Sequence, residues 1–137
     1  MPSFISTLLG STPFGVFARV VLTFMFWASG LAKLLDFQGG VAEMQQFALE
    51  PAVAFNVATI ICQLGGSALV ILGGRLAWLG AGALAVFTIL TIPIAHAFWT
   101  MEEPFRTMEF HVVMEHITVV GGLMVVAILC HLRQRSA

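Results

Sequence analysis

Four long apolar runs, separated by short polar connections, account for most of this chain. The runs cover about residues 14–35, 52–73, 77–98 and 110–132 of the 137-residue sequence. A helix needs about 20 apolar residues to cross the hydrocarbon core of a bilayer. Inside lipid each backbone N–H and C=O must pair within its own segment, so spanning runs of this kind form helices. The sequence therefore predicts an all-α fold, an integral membrane four-helix bundle in one domain, residues 14–132.

Composition argues against a soluble helical bundle, because charged residues make up only 9% of the chain and hydrophobic residues 59%. A soluble domain carries about 25% charged residues, which it needs to cover its surface. An N-terminal head, residues 1–13, and a cytoplasmic tail, residues 133–137, complete the predicted organisation. A cleaved signal peptide is the alternative for the first run. However, residues 1–15 carry no positive charge, and the run is longer than usual for such a peptide.

The charged residues divide between the two ends of the predicted bundle. If every run crosses the bilayer, all seven acidic residues lie at one end, in the connections after runs one and three and at the start of run four. We call this the acidic end (Asp36–Glu50 and Glu102–Glu109), and the opposite one the basic end (Arg75 and Arg133–Arg135). Lys and Arg concentrate on the cytoplasmic side of membrane proteins. The arginines therefore predict a multi-pass protein of the bacterial inner membrane with both termini in the cytoplasm.

The net charge of −1 and the lack of a basic tract exclude a nucleic-acid partner. The expected partners are the lipid bilayer and either another protein or further copies of this chain. Cys62 and Cys130 differ in predicted depth by roughly 15 Å at the helical rise of 1.5 Å per residue. A disulfide requires Cα atoms within about 7 Å, so both are predicted to be free thiols.

The longest connection, residues 37–50, joins runs one and two at the acidic end. It begins at Gly39-Gly40, and apolar residues then recur at helical spacing at Val41, Met44 and Phe47. Such a pattern is typical of a short amphipathic helix that lies in the plane of the interface. The sequence therefore predicts an interfacial helix beside the acidic end.

Polar residues within the runs fall on single helical faces. Residues three and four apart share a face of a helix. A charged residue facing lipid costs about 2.5–3.5 kcal/mol at the centre of a span, so the stripes should face each other and form a polar seam. They comprise Arg19, Thr23, Phe26, Gly30 and Lys33 in run one, Asn56, Thr59, Gln63 and Ser67 in run two, and His111, Glu115, Thr118 and Gly122 in run four.

The seam predicts an outward-opening cavity at the acidic end. Glu115 and His116 are the candidates for proton exchange, since a carboxylate beside an imidazole can pass protons. Pro93 should kink run three, because proline cannot donate to the carbonyl one turn earlier. The candidate substrate-binding residues are Lys33, Gln63, His96, Trp99 and His111.

Several of these residues also have purely structural explanations. Arg19 and Lys33 are close enough to the membrane surfaces for their side chains to reach the headgroups. Gln63 alone would tie two helices together through a hydrogen bond of roughly 1 kcal/mol. An ionisable carboxylate at the position of Glu115 within run four needs a charged or hydrogen-bonding partner. Either a purely structural ion-pair network or a functional cavity would supply that partner.

A metal centre is the less favoured alternative. Three histidines and three methionines lie at the acidic end, and His with Met suits copper, while paired His suits haem. No HxxxH or CxxCH motif is present, and His111 and His116 point about 140° apart on an ideal helix. The sequence therefore predicts no metal site and no intrinsic cofactor.

Short motifs in a fixed order resemble those of the DoxX family over about residues 16–130. They are Arg19, Gly30 and Lys33-Leu34 in run one, Gln63-Leu64-Gly65-Gly66 and Gly73 in run two, His96 and Trp99 after run three, and Gly121-Gly122-Leu123 in run four. The family consists of small bacterial inner-membrane proteins of four helices. Some members are similar to the small membrane part of a thiosulfate:quinone oxidoreductase, others are associated with membrane complexes that handle thiols and oxidative stress, and many are uncharacterised.

The resemblance implies a redox-linked membrane subunit that binds a quinone or a small thiol or sulfur-type substrate. Trp99 would stack on a ring, His96 would hydrogen-bond an oxygen, and Glu115 or His116 would exchange the proton. Electrons would come from a partner, because the chain has no cofactor motif, and the subunit itself need not be catalytic. A small proton-coupled transporter subunit and a membrane scaffold for a partner enzyme are the alternatives.

Overall fold

The computed structural model describes residues 2–135, and this part of the chain is helical without strands. Two short 3-10 helices, Gly74–Leu76 and Phe98–Thr100, flank the sixth α-helix. The all-α fold class is confirmed. The seven α-helices are α1 (Ser3–Gly10), α2 (Thr12–Leu22), α3 (Phe24–Leu35), α4 (Phe37–Gln46), α5 (Ala52–Leu72), α6 (Ala77–Ala95) and α7 (Phe105–Arg135).

Three helical segments of the described chain are long and apolar enough to cross a membrane. They are Ala52–Leu72, Gly74–Thr100 and Phe105–Arg135. A fourth crossing is available within residues 2–135 if α1 and α2, which meet at 65°, form one bent span. Runs two and three of the sequence thus correspond to α5 and α6, whereas α7 extends beyond run four at both ends.

The first predicted run differs from the structure, because Thr23 divides it into α2 and α3. The Thr23 hydroxyl donates to the Arg19 carbonyl oxygen at 2.8 Å, a local bond that competes with the regular helical pattern and bends helices. The indole N–H of Trp27 donates to the Val20 carbonyl oxygen at 3.2 Å. These two side chains thus donate hydrogen bonds to backbone oxygens at the break between α2 and α3. Because those oxygens are paired, the break is tolerated in apolar surroundings.

The core of the bundle lies where α3, α5, α6 and α7 meet. Phe26, Val70, Ala81, Leu84 and Leu123 form one buried cluster there. Helices α5 and α6 approach so closely that a β-carbon on Gly80 would lie 2.6 Å from the Gly66 carbonyl oxygen. Close backbone contact at small residues is how membrane helices associate, since lipid provides no hydrophobic drive between them.

The helix predicted in the longest connection is present as α4, and its position at a membrane interface stays a prediction. Its N-terminus is capped by Asp36, whose carboxylate accepts from the Gly39 N–H at 2.9 Å. Val41 and Met44 are buried against Ala52 at the start of α5. Helix α4 therefore packs onto the bundle through its apolar face, beside the acidic end.

The turn between α5 and α6 depends on glycine at its first position. Gly73 ends α5 with φ 73° and ψ −149°, a backbone conformation open essentially to glycine alone. The guanidinium of Arg19 occupies the space that a β-carbon on Gly73 would need. The basic end is therefore closed by an arginine from α2 lying against the bare backbone of this turn.

Candidate ligand-binding cavity

A cavity of about 540 Å³ lies between α3, α4, α5, α6 and the part of α7 near the acidic end. Its walls are mostly apolar. Its polar lining residues are Ser29, Lys33, Glu43, Thr59, Cys62, Gln63, Thr88, Thr91, His96 and His116. This is the size and character of pockets that bind small organic ligands, which are mostly apolar with a few placed polar groups.

One side of the cavity is closed by an ion pair between α3 and α4. Lys33 Nζ lies 2.7 Å from Glu43 Oε2, and the Lys33 side chain is only 11% exposed. The same ammonium also donates to Ser29 Oγ at 3.4 Å. The charge of Lys33 is therefore neutralised by a group from the interfacial helix.

Gln63 lies deep in the cavity wall because α3 and α5 touch at Gly30. A β-carbon on Gly30 would lie 2.9 Å from Leu64 Cγ and 3.2 Å from Gln63 Cβ, so glycine is what permits this approach. Gln63 Nε2 donates to Ser29 Oγ at 3.3 Å. Its Oε1 is buried and has no hydrogen-bond partner among the described residues.

His96 follows the last residue of α6 and faces α7. Its Nδ1 lies 2.7 Å from Glu109 Oε2, and both side chains are partly buried, with 23% and 28% exposed. The His96 ring also meets the ring of His116 edge to face, with centroids 4.8 Å apart. His116 Nδ1 lies 2.8 Å from the Val112 carbonyl oxygen of its own helix. Two imidazoles thus meet at one corner of the cavity.

Four of the sequence-predicted site residues line the cavity together: Lys33, Gln63, His96 and His116. Three others do not: Trp99, His111 and Glu115 are exposed and lie outside its lining. Trp99 packs edge to face on Phe98, and His111 Nδ1 lies 2.7 Å from the Thr107 carbonyl oxygen.

The stripe of α7 containing His111, Glu115 and Thr118 points away from the bundle, so the prediction that all polar stripes face each other is wrong for this helix. The physical reason is which side of α7 the contacts with α6 use. His96 contacts Glu109 and His116, so this side of the helix faces the bundle. His111 and Glu115 lie on the opposite side and are exposed.

Arg19 and Pro93 lie away from the cavity lining. Arg19 is at the basic end, where its Nη1 donates to Cys130 Sγ at 3.9 Å and its Nε is buried without a partner among the described residues. Cys130 and Cys62 are free thiols. Pro93 is exposed, and α6 continues through it to Ala95. The kink expected there stays a prediction.

Two carboxylates that pair with cavity residues, Glu43 and Glu109, are not among the sequence-predicted site residues. Both pairs join different helices, so no spacing rule within one helix could identify them. A weaker sequence signal was available, because only a short connection separates the helix of each glutamate from its partner. Lys33 precedes Glu43, and His96 precedes Glu109. Ser29 and Cys62 were also missed, although Ser29 precedes Lys33 by one helical turn. Within residues 2–135, no three His, Cys, Asp or Glu side chains are grouped as a metal site requires.

The comparisons with known proteins bear on the family of the chain. The DoxX family model matches residues 15–97, more than half of the sequence, from within α2 to just beyond the end of α6. This range includes Lys33, Gln63 and His96 of the cavity. Neither the curated proteins nor the solved structures give a significant match. The chain, with its apolar membrane-spanning helices, is therefore a member of the DoxX family of membrane proteins.

Proposed function

We propose that the chain is a redox-linked membrane subunit that binds a quinone or a small thiol or sulfur-type substrate in this cavity. The observation that carries the proposal is the convergence of Gln63, His96 and His116 on one mostly apolar cavity of about 540 Å³. Apolar walls suit a ring or hydrocarbon tail, whereas a few polar groups fix its orientation. The residues that would contact the ligand lie in α5, just after the end of α6 and in α7.

The roles of these side chains follow from their positions. His96 and His116 each have one ring nitrogen engaged, so the other is available to a ligand oxygen or sulfur and can exchange its proton. Gln63 supplies an amide from α5. Electrons would come from a partner protein, because the sequence has no cofactor motif.

Localisation belongs to the same proposal. We place the protein in the inner membrane of a bacterium, with both termini in the cytoplasm and the acidic end outward. The concentration of arginines at the basic end supports this orientation. Single-cysteine variants of Arg75 and Glu102, in a background lacking Cys62 and Cys130, would test it. An impermeant thiol reagent applied to intact cells should label position 102 and spare position 75, and the reverse pattern would contradict the proposed orientation.

The binding proposal is tested by identifying what stays bound to the protein. Protein purified from native membranes in mild detergent is extracted, and quinones are measured by absorbance and mass spectrometry. Wild-type protein should retain quinone, and His96→Gln should retain about tenfold less, the loss expected when a buried ligand loses one hydrogen bond. His131→Gln is the matched control, because His131 is exposed and lies on α7 near the basic end, outside the cavity lining.

Equal retention by wild type and His96→Gln would contradict the assignment of His96. Wild-type protein that carries no quinone and binds neither an added short-tail quinone nor a small thiol would contradict the proposed function itself. That result would favour the alternative functions, which are transport through an oligomer and recruitment of a partner enzyme.

A further inference from the structure

Two arginines from different helices lie where α2 packs against α7 at the basic end. The Arg133 guanidinium of α7 contacts α2, since a β-carbon on Gly15 would be 3.3 Å from Arg133 Nη1. Arg19 follows Gly15 by one helical turn, so the two positions share a face and lie about 6 Å apart. Arg19 Nη1 in turn reaches Sγ of Cys130, at 3.9 Å, one turn before Arg133 on α7. Each helix therefore brings one positive charge to the same contact.

No aspartate or glutamate is placed to neutralise these two arginines. All seven acidic residues belong to the segments Asp36–Glu50 and Glu102–Glu115. Glu115, the acidic residue of α7 that is closest in sequence to Arg133, lies roughly 27 Å away along the helix, at 1.5 Å per residue. Both ion pairs found within residues 2–135 are at the acidic end. Like charges without a counter-ion repel each other, so the contact between α2 and α7 favours an anion.

The Arg19 guanidinium is held in place and still has a hydrogen-bond donor to offer. It fills the space beside Gly73 that a β-carbon would need. Its Nε is buried, whereas Nη2 has no hydrogen bond with a described residue and is not fully buried. Arg133 is exposed. An anion at this surface can therefore accept from guanidinium groups of two helices, and charge-assisted bonds of this kind to phosphate are strong.

The surroundings of the two arginines suit a lipid better than a dissolved anion. Helix α2 leads from the basic end into the bundle, since Leu22 near its other end meets Gly122 of α7. Helix α1, which ends just before α2 begins, has no buried residue and no charged one. Its large exposed apolar side chains are Phe4, Ile5, Leu8 and Leu9. An acyl chain thus has apolar surface close to the arginines, and basic pockets between membrane helices are typical sites for anionic headgroups.

We propose that the basic end binds the phosphate of an anionic phospholipid between α2 and α7. Arg19 and Arg133 are the ligating side chains, and α1 lies beside the acyl chains. One phosphate would bridge the two helices, because each contributes one guanidinium group. The site is at the opposite end of the bundle from the cavity, and it depends neither on the function proposed for the cavity nor on the orientation of the protein in the membrane.

The test counts the lipids bound to the full-length protein by native mass spectrometry. Protein stripped of lipid in mild detergent receives equal amounts of phosphatidylglycerol and phosphatidylcholine, which share the phosphate but differ in net charge. Phosphatidylglycerol should occupy the protein about tenfold more, because choline offsets the phosphate charge and each arginine near an anionic headgroup contributes a factor of about five. Equal occupancy by the two lipids would overturn the proposal.

Arg19→Gln and Arg133→Gln should each lower this preference to about threefold or less, because each removes one of the two guanidinium groups. Arg133→Gln changes an exposed side chain, so it also tests the site if Arg19→Gln does not fold. Arg106→Gln is the matched control, since Arg106 is an exposed arginine of α7 at the acidic end, and it should keep the wild-type preference. An unchanged preference in folded Arg133→Gln protein, or an equal loss in Arg106→Gln, would overturn the site.

Inorganic phosphate distinguishes a lipid from a dissolved anion as the occupant. Protein loaded with phosphatidylglycerol is washed with excess phosphate, or with chloride at the same ionic strength, before its bound lipid is counted. Most of the lipid should stay bound in both washes, because burial of its acyl chains adds an apolar contribution that phosphate lacks. Complete displacement by phosphate alone would identify a site for a free anion and overturn the lipid assignment. Every one of these results leaves the function proposed for the cavity unchanged.

Discussion

The two faces of α7 carry similar residues in opposite surroundings. The face toward α6 includes Glu109, His116 and Leu123, which are buried or half-buried, and two of them contact His96. The exposed face includes His111 and Glu115, and Glu115 has no hydrogen bond or ion pair with any described residue. Whether a glutamate or a histidine of α7 belongs to the cavity region thus depends on whether it contacts a residue of the neighbouring helix. Matched substitutions on the two faces test this contrast.

The largest difference is expected for leucines. Leu123 is fully buried in the core and Leu129 is 52% exposed. Leu123→Ala should lower the free energy of unfolding by about 2–5 kcal/mol, because it opens a cavity among packed side chains. Leu129→Ala should change it by less than about 1 kcal/mol. Both are measured by SDS titration of the detergent-solubilised protein, and equal losses would show that α7 is not oriented as described.

The glutamates should show a smaller difference. Glu109→Gln weakens the 2.7 Å contact with His96 and should cost about 1 kcal/mol of unfolding free energy, since both groups are partly exposed to solvent. Glu115→Gln removes no described contact and should cost nothing measurable. The same titrations at pH 7 compare the two variants, and a larger loss in Glu115→Gln would reveal a partner for that residue.

The smallest difference is expected for two adjacent glycines. A β-carbon on Gly122 would lie 2.8 Å from Leu22 Cδ1, the movable end of a side chain, whereas one on Gly121 would meet nothing within 4 Å. Both alanine substitutions gain similar helix propensity, so their difference reports the contact with α2 alone. Gly122→Ala should be less stable than Gly121→Ala by under about 1 kcal/mol. The reverse order would mean that α2 and α7 do not meet at Gly122.

The α5 and α6 spans were predictable from the sequence because hydropathy and run length depend only on local composition. The face of run one was also predictable, since Thr23, Phe26 and Gly30 are all buried. Its division at Thr23 was not, because the break depends on which side-chain groups satisfy particular backbone oxygens. The prediction for α7 failed at His111 and Glu115 because tertiary contacts, here those of Glu109 and His116 with His96, decide which face of the helix is turned inward.

The cavity was predictable only in part, for a related reason. Gln63 and His96 can be identified from the sequence because they are polar residues within apolar runs. Their partners, Ser29 and Glu109, belong to other helices, so only the tertiary arrangement shows which polar groups are paired.

The contact of Arg19 with the α5–α6 turn has an evolutionary consequence. The backbone of Gly73 requires glycine whatever lies beside it, so the space for the guanidinium persists even when position 19 changes. The dependence runs one way: Arg19 can be exchanged without altering the turn, whereas the turn cannot acquire a side chain while Arg19 remains. Among descendants of this sequence, substitutions at position 19 should therefore accumulate before any at position 73.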